Sequence, residues 1–296
     1  MSTESGILLL DKPSGLSSNA ALGQAKRMLG IRKVGHAGTL DPMASGLLVL
    51  CFGEATKVAG YLLDSDKAYL AEVQLGVRTD SDDAEGEMVE QQPVPDLTEA
   101  QLEQALDSFR GPIQQIPPMY SALKQGGERL YRKARRGEIV DRPARAVTIH
   151  ELALLAWNGE RLRLGVHCSK GTYIRSLARD LGDLLGCGAH LCGLRRTRSA
   201  PFDIQDAVDL DELTRLDREQ ARKRLNPADQ ALIHLPALSL TEEQVTRLKM
   251  GQRLTDVIET PDGLLRVYGP KDFVGIGEGN GRGGLKPKRL MRTDGG

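Results

Sequence analysis

The first half of the chain alternates short apolar runs with turn residues. Residues 7–10 and 47–52 are continuous apolar runs, which predict buried strands, and residues 67–75 alternate like a half-buried strand. A helix ending at Leu29 is predicted after the first run, because an apolar face recurs at helical spacing and Gly30 follows as a stop. The candidate N-caps of this helix are Ser17, Ser18 and Asn19.

The second half adds two helices and a hairpin. Residues 98–109 and 172–186 read as helices, and the second has a continuous apolar stripe with Thr172 as its candidate cap. Two strands, at about 148–156 and 161–168, are predicted to form a hairpin. Because strands and helices alternate irregularly, the pattern favours an α+β fold with a mixed sheet over a regular βαβ repeat.

The pattern changes after about residue 235. A short helix near 242–249 is followed by strand-like segments at 264–268 and 273–276, with many glycines between them. We interpret residues 1–232 as one domain and residues 233–296 as a small β-rich domain. The length of 296 residues agrees with two domains, at roughly 150 residues each.

Composition and charge narrow the class of protein. Forty basic and forty acidic residues cancel, but the basic ones cluster at 124–145, 195–198 and 282–292, where they are able to follow a phosphate backbone. The alternative interpretation is that each cluster is a solvated surface. No apolar run approaches the ~20 residues of a membrane helix, and the four cysteines form no CxxC pair, which favours reduced thiols and a cytoplasmic protein.

Two segments offer candidate chemistry. Asp41 lies in a loop at 35–46 with three glycines and a proline, and its carboxylate could serve as a nucleophile, a general base, a metal ligand or a turn former. His36, in the same loop, is more often structural than functional. The segment 167–175 is a predicted strand-to-helix junction, which favours anions and carries Tyr173 and Arg175 in the first helical turn.

The sequence offers neither a metal site nor a cofactor site. Cys187, His190 and Cys192 are close together, but their spacing matches no common zinc pattern. The glycines near residue 279 alternate too tightly for a dinucleotide fingerprint, and no predicted helix follows them. We therefore expect no metal and no cofactor.

Seven motifs follow one another along the chain, and the most specific is the loop GHAGTLDPMASGLLVLCFGEATK at 35–57. The other motifs, in chain order, are GILLLDKPSGLSSN, YLLDSDKAY, GVRTDSDDAEG, IPPMYSALK, HCSKGTYIRSLARDLG and GCGAHLCGLRRT. Together they resemble the TruB family of tRNA pseudouridine synthases, whose hallmark is a Gly-His-x-Gly-x-Leu-Asp-Pro segment, although Ala37 and Thr39 stand where relatives often have Thr and Ala. The carboxyl-terminal segment resembles the small PUA-type RNA-binding domain of these enzymes.

The resemblance implies a fold, a reaction and a substrate. The fold is a mixed, mainly antiparallel sheet flanked by helices, followed by the PUA-type domain. The reaction converts uridine at position 55 of the tRNA T-loop to pseudouridine: the N-glycosidic bond breaks, the uracil turns, and a carbon–carbon bond forms. It requires no redox step and no energy input, in agreement with the missing cofactor motifs.

The resemblance also assigns roles to residues of this chain. Asp41 matches the catalytic aspartate, which either attacks the anomeric carbon or removes a proton from the adjacent ribose carbon. Arg175 matches the partner of that carboxylate. Tyr69 matches the aromatic residue that stacks on the flipped base, and it is placed to help remove a proton from the ring. Tyr173 and Leu194 match other positions of the pocket.

The remaining matches concern RNA contacts and support. His36 would fill the space that the flipped base leaves, and Lys12 matches a basic residue of the first motif that is more structural than chemical. The basic segment at about 117–145 would close over the T-stem-loop, and residues 282–292 would contact the acceptor side. The implied partner is tRNA, with no membrane and no obligate protein partner, and a monomer is expected.

Two alternatives differ in class. One is a catalytically silent RNA-binding or chaperone protein, which Asp41, Tyr69 and Arg175 together disfavour, because binding alone needs no carboxylate facing a polyanion. The other is a relative that modifies different RNA within a guide-RNA particle. The long basic segment and the lack of extended low-complexity tails favour a stand-alone enzyme.

Overall fold

A mixed sheet of ten strands organises most of the molecule. The computed structural model describes residues 5–292 except 122, 135, 137, 139 and 259, and it leaves the side chains of 124, 125, 129, 131 and 132 undescribed. The strands of this sheet are β1 (Gly6–Lys12), β2 (Val34–His36), β3 (Ser45–Phe52), β4 (Lys67–Leu75), β7 (Gly111–Gln115), β10 (Arg145–Trp157), β11 (Arg161–Cys168), β12 (Ala189–Ser199), β13 (Phe202–Asp203) and β14 (Val208–Asp209). Small hairpins outside it pair β5 (Val77–Thr79) with β6 (Met88–Gln91) and β8 (Lys124–Gln125) with β9 (Glu128–Arg129).

The strand order confirms the predicted class of sheet. It runs β14-β1-β3-β12-β4-β11-β10-β7, with β2 paired to β3 and β13 paired to β12. Only the β1–β14 and β3–β12 pairs are parallel, so the sheet is mixed and mainly antiparallel. The predicted strands at 7–10, 47–52 and 67–75 and the predicted hairpin are all present.

Eight helices accompany the sheets in the described part of the chain. They are α1 (Ser18–Leu29), α2 (Ala59–Leu63), α3 (Glu99–Asp107), α4 (Leu130–Ala134), α5 (Ile174–Leu184), α6 (Leu210–Arg215), α7 (Arg218–Lys223) and α8 (Glu242–Lys249). Helix α1 confirms its prediction: Ser17 caps it by accepting the Ala20 N–H, and Gly30 ends it in the left-handed region at φ 68°.

Helix α5 differs from its prediction at the amino-terminal end. It begins at Ile174 with Tyr173 as the N-cap residue, while the predicted cap, Thr172, donates its hydroxyl hydrogen bond backward to the Ser169 carbonyl. The apolar stripe is buried as expected. Arg175 is buried too, although it lies off that stripe, because the other side of the first turn faces the loop that carries Asp41.

The carboxyl-terminal residues form their own four-stranded sheet, in the order β15 (Ala237–Ser239), β16 (Asp262–Tyr268), β17 (Phe273–Asn280) and β18 (Leu285–Leu290). Its basic block at 282–292 is therefore mostly a strand, and Lys286 and Lys288 both pair with Glu278. Phe273 and Ile276 pack into the same apolar cluster as residues of β1 and β3, so the two sheets share a core.

The basic segment at 117–145 contains regular structure, although its mixture of Pro, Gly and Arg with few apolar residues predicts an extended chain. It contains the β8–β9 hairpin and α4, and Arg136 pairs with Glu128 and Glu138. Arg142 donates to the Pro117 carbonyl. Four of the predicted RNA-binding side chains, those of Lys124, Arg129, Arg132 and Arg135, lie outside the described residues. None of the helices described combines the length and apolar character needed to cross a bilayer.

Candidate active site

Asp41 lies in the loop between β2 and β3, and buried polar groups fix the shape of this loop. The Ser18 hydroxyl donates to the Leu40 carbonyl and accepts the Leu40 N–H, both at 2.8 Å. The ammonium of Lys12 is fully buried and donates to the carbonyls of Leu16, at 2.6 Å, and Pro42, at 3.5 Å. These bonds replace the regular hydrogen bonds that a loop lacks, so Asp41 is held in one position.

Arg196 holds the same loop from the opposite side. Its side chain is 1% exposed, and its Nε donates to the Leu47 carbonyl at 2.7 Å and its Nη2 to the Gly38 carbonyl at 3.1 Å. Gly46 lets the two backbones meet: its φ is 99°, and a Cβ there would overlap the Arg196 backbone. Burial thus excludes Arg196 from both interpretations given for the cluster at 195–198, a phosphate-binding surface and a solvated surface, and Arg195 pairs with Asp11.

Arg175 bridges two carboxylates. Its Nε lies 3.1 Å from Oδ2 of Asp41, and its Nη1 lies 3.2 Å from Oδ2 of Asp83. The guanidinium also donates to the carbonyls of Ser81 and Tyr120, so protein atoms surround it on every edge. Arg175 and Asp83 are 5% exposed, whereas 37% of the Asp41 side chain is exposed. Asp41 is thus the more exposed of the two carboxylates that Arg175 bridges.

Opposing effects set the acidity of Asp41. Burial raises its pKa, and the positive charge of Arg175 lowers it. The Asp83 carboxylate raises it again, while Lys12 lowers it, and the net pKa lies above the ordinary value of an aspartate. Arg175 therefore offsets part of the cost of burying the Asp41 charge at the cavity.

The cavity beside Asp41 brings together the other predicted pocket residues. It measures about 340 Å³, and Asp41, Tyr69, Tyr173, Arg175 and Leu194 line it. Tyr69 comes from β4, Leu194 from the neighbouring β12, and Tyr173 from the start of α5. Five residues from four distant segments of the chain thus line one space, which combines a carboxylate with two tyrosines.

The two tyrosines are positioned by specific contacts. Gln115 accepts the Tyr173 N–H at 2.8 Å and donates back to the Tyr173 carbonyl at 3.0 Å, which fixes the head of α5. Burial raises the pKa of Tyr69, and the Arg196 guanidinium beside its hydroxyl opposes that rise. Burial also raises the pKa of Tyr173, so both phenols are neutral at physiological pH, and both line the cavity.

His36 lies at a second, larger cavity of about 680 Å³, which shares Asp41 and Arg175 with the first. Burial and the charge of Arg196 lower the pKa of His36, so its ring is neutral near pH 7. Its Nδ1 is buried without a hydrogen-bond partner among the described residues. The ammonium of Lys12 donates to backbone carbonyls, including that of Pro42 in the Asp41 loop, which agrees with the predicted structural role of this lysine.

Several residues of the site were not identified as such from the sequence, among them Ser18, Lys67, Asp83, Gln115 and Arg196. Asp83 lies within the motif GVRTDSDDAEG, so the resemblance marked its segment but not its contact with Arg175.

The segment considered above as a zinc site holds its polar side chains by other contacts: His190 hydrogen-bonds to the Val77 carbonyl, and Cys192 donates to the Glu72 carbonyl. Within the described part of the chain, no group of three or more His, Cys, Asp or Glu side chains could hold a metal ion.

Comparison with known proteins gives consistent matches along the chain. Residues 26–174 match the family described as "TruB family pseudouridylate synthase (N terminal domain)". Residues 175–233 match "tRNA pseudouridylate synthase B C-terminal domain", and residues 236–291 match "Pseudouridine synthase II TruB, C-terminal". The three matches follow one another in order and leave few residues between them.

Curated relatives match over nearly the full length. Two of them are each named tRNA pseudouridine synthase B. The protein from Aromatoleum aromaticum is 52% identical, over 97% of this chain and 93% of that protein. The protein from Stutzerimonas stutzeri is 50% identical, over 98% of this chain and 96% of that protein.

Among solved structures, "Crystal Structure of a Cbf5-Nop10-Gar1 Complex" superposes with a TM-score of 0.70 at 28% identity, covering 93% of this chain and 78% of the other. "Crystal structure of the archaeal box H/ACA sRNP Nop10-Cbf5 complex" gives 0.73 at 25%, covering 99% and 88%. With its mixed sheet, its PUA-like carboxyl-terminal sheet and these matches, the chain belongs to the TruB family of pseudouridylate synthases.

Proposed function

We propose that this enzyme converts uridine to pseudouridine at position 55 in the T-loop of tRNA. The observation that carries the proposal is the contact of Asp41 with Arg175 at a cavity that Tyr69 and Tyr173 also line. The names of the curated relatives support tRNA as the substrate. A T-loop uridine is stacked inside folded RNA, so it has to be flipped out to reach Asp41, at a cost of a few kcal/mol.

Asp41 acts on the ribose while the bond from C1′ to N1 of the uracil breaks. In one account its carboxylate attacks C1′ and forms a transient ester, and in the other it removes a proton from C2′. Both accounts need the ionised carboxylate, because it either bonds to C1′ as positive charge develops there or accepts the proton from C2′. Arg175 supports both because its charge holds Asp41 ionised against burial.

The uracil then turns within the cavity and re-bonds through C5. Tyr69 stacks on the ring, and Tyr173 and Leu194 limit its movement, which keeps the released base next to the sugar. Tyr69 also helps to remove the C5 proton, while N1 gains a proton, and the double bond between C5 and C6 is restored. His36 enters the space that the base vacates, and Lys12 supports the Asp41 loop through its bonds to the backbone.

Basic surfaces position the RNA through phosphates and shape. The segment at 117–145 closes over the T-stem-loop, and residues 282–292 contact the acceptor side. In this arrangement residues 1–232 form the catalytic domain and residues 233–296 the RNA-binding domain. The shared core between the two sheets supports a fixed spacing between these surfaces, so the enzyme measures the distance from T-loop to acceptor end.

We further propose a stand-alone, monomeric enzyme of the cytoplasm. Asp41, Tyr69 and Arg175 come from one chain, so the site is complete within it. The curated relatives named for tRNA are about 50% identical, against 28% and 25% for the two Cbf5 complexes, which favours tRNA over guide-RNA particles. Four free cysteines fit a reducing compartment.

The function is tested with an unmodified tRNA transcript and no added protein or cofactor. We expect one pseudouridine, at position 55, when the product is mapped by a reagent specific for pseudouridine. A transcript with cytidine at position 55 is the matched control and should gain none. Modification at another position would contradict the assigned site, and a requirement for a guide RNA would favour the particle alternative.

Neutral substitutions at Arg282, before β18, and at Arg289, within it, test the carboxyl-terminal RNA surface. Deleting 282–292 would remove a strand, so Arg282→Gln with Arg289→Gln is the better variant, because both side chains are exposed. We expect weaker tRNA binding and a salt slope reduced by about one unit for each lost phosphate contact, measured by filter binding across salt concentrations. The single-turnover rate at saturating enzyme should not change. Unaltered affinity and slope, like those of the control Lys223→Gln, would contradict this role.

A further inference from the structure

Two buried cations line the cavity without any carboxylate bonded to them. Arg196 is 1% exposed and Lys67 is 7% exposed, and both border the 340 Å³ space with Tyr69 and Asp41. Neither forms an ion pair with an acidic side chain of the described residues. A buried charge that lacks a counter-ion is costly, and such groups concentrate at functional sites.

Backbone carbonyls hold both cations in fixed positions. Arg196 donates to the carbonyls of Leu47 and Gly38, and Lys67 donates to those of Leu62 and Leu63, both at 3.0 Å, and of Ser65, at 2.5 Å. These acceptors satisfy the N–H groups but carry no net charge. The cavity therefore keeps two positive charges whose positions are set before any substrate enters.

The nearby carboxylates are engaged elsewhere. Arg175, the third cation of the cavity, lies between Asp41 and Asp83, and Lys12 also lowers the pKa of Asp41, so these two cations balance the two carboxylates. Asp64 pairs with Lys170 at 2.7 Å, and Asp66 lies 3.4 Å from His150. Burial and the charge of Arg196 lower the pKa of Lys67 to about 8, which still leaves the ammonium mostly charged near pH 7. The uncompensated charge is thus concentrated where Tyr69 lies.

We propose that Arg196 and Lys67 stabilise the negative charge that the uracil acquires when it separates from the ribose. The inference rests on the proposed function. As the C1′–N1 bond breaks, its electron pair stays on N1 and spreads over the two ring carbonyl oxygens. The sugar either forms an ester with Asp41 through C1′ or loses its C2′ proton to Asp41. Both accounts release the same uracil anion, so the role of these cations does not depend on which one holds.

Fixed charges suit this task better than mobile ones. Electrostatic stabilisation is strongest when the charges need no reorganisation as the transition state forms, and bonds to the backbone provide that rigidity. The charge on the uracil disappears again when C5 bonds to C1′, as the ester to Asp41 breaks or C2′ regains its proton, and the later loss of the C5 proton is balanced by protonation of N1. Arg196 and Lys67 thus favour the separated state while the base turns, and they do not hold the product.

A change in the leaving group separates this role from structural support. T-stem-loops with uridine or 5-fluorouridine at position 55 are compared in single turnovers, by following loss of the N1-linked nucleoside. Fluorine makes the departing uracil anion more stable, so it depends less on the protein. We expect Arg196→Gln and Lys67→Met to lower the single-turnover rate with uridine about 10²-fold or more. The same variants should lower the rate with 5-fluorouridine by a factor that is at least about threefold smaller. Arg196→Lys, which keeps the charge, should retain the wild-type ratio between the two substrates.

Equal slowing of both substrates would identify the two side chains as structural supports and overturn the proposal. Lys223→Met, on an exposed lysine of α7, is the control and should alter neither rate. If the neutral variants do not fold, the wild-type enzyme provides the test, with uridines whose rings differ in acidity. If the protein stabilises the anion, the rate of bond cleavage depends only weakly on that acidity. A dependence as steep as that expected for a full negative charge released into water overturns the proposal. Failure of the wild-type enzyme to isomerise uridine would instead reject the proposed function.

Discussion

Asp41→Asn is expected to lower the rate of pseudouridine formation by about 10⁴-fold or more, while tRNA binding changes little. The amide has nearly the shape of the carboxylate and can still accept a hydrogen bond from Arg175. It carries no negative charge, so it can neither attack C1′ nor take a proton from C2′. The measurement is tritium release from tRNA labelled at C5 of uridine, with filter binding for affinity.

Unfolding is not expected to account for that loss. The pKa of Asp41 is raised in the folded protein, so this group stabilises the fold at low pH and loses that contribution as pH rises through its folded pKa. Removing the charge should therefore leave thermal stability at pH 7 unchanged or slightly higher. Asp96→Asn, on an exposed aspartate, is the matched control. Full activity of Asp41→Asn would reject its assigned role.

Arg175→Met is expected to reduce activity by about 10²- to 10³-fold and to move the acid limb of the pH profile upward. Without the guanidinium, Asp41 is still buried and still faces Asp83, and both effects raise its pKa. A smaller fraction of Asp41 is then ionised at any given pH. Single-turnover rates measured from acid to mildly alkaline pH test the shift, and part of the lost activity should return as pH rises.

A second substitution identifies the cause of that effect. Asp83→Asn removes the like charge that faces Asp41, so adding it to Arg175→Met should move the acid limb back toward lower pH. Arg175→Lys keeps a positive charge but loses the forked contacts with Ser81 and Tyr120, and it should be impaired with a smaller pH shift. An unchanged acid limb in Arg175→Met would contradict the proposed coupling to Asp41.

Sequence patterns predicted the elements whose signals are local. Apolar runs identified β1 and β3, and cap residues identified both ends of α1. The pattern did not predict β12, which pairs with both β3 and β4, because glycine and three arginines interrupt its apolar run. Arg196 was placed on the surface for a related reason: its burial depends on the carbonyls of Gly38 and Leu47, which only the tertiary fold brings near.

The site was predicted through resemblance more than through chemistry. From its neighbours alone, Asp41 was as consistent with a turn residue as with a catalytic group. The family motif selected it, and the structure brings it together with Tyr69, Tyr173, Arg175 and Leu194. No sequence signal indicated that Asp83 shares Arg175 or that Arg196 carries an uncompensated charge, since both facts depend on distances between remote segments.

The most direct test of the central claim is a crystal structure of Asp41→Asn bound to a T-stem-loop with unmodified uridine at position 55. The account predicts that this uridine is flipped into the 340 Å³ cavity, with its ring against Tyr69 and with C1′ or C2′ within about 3.5 Å of the side chain at residue 41. A uridine that stays stacked in the T-loop, or that binds away from Tyr69 and Arg175, would contradict it.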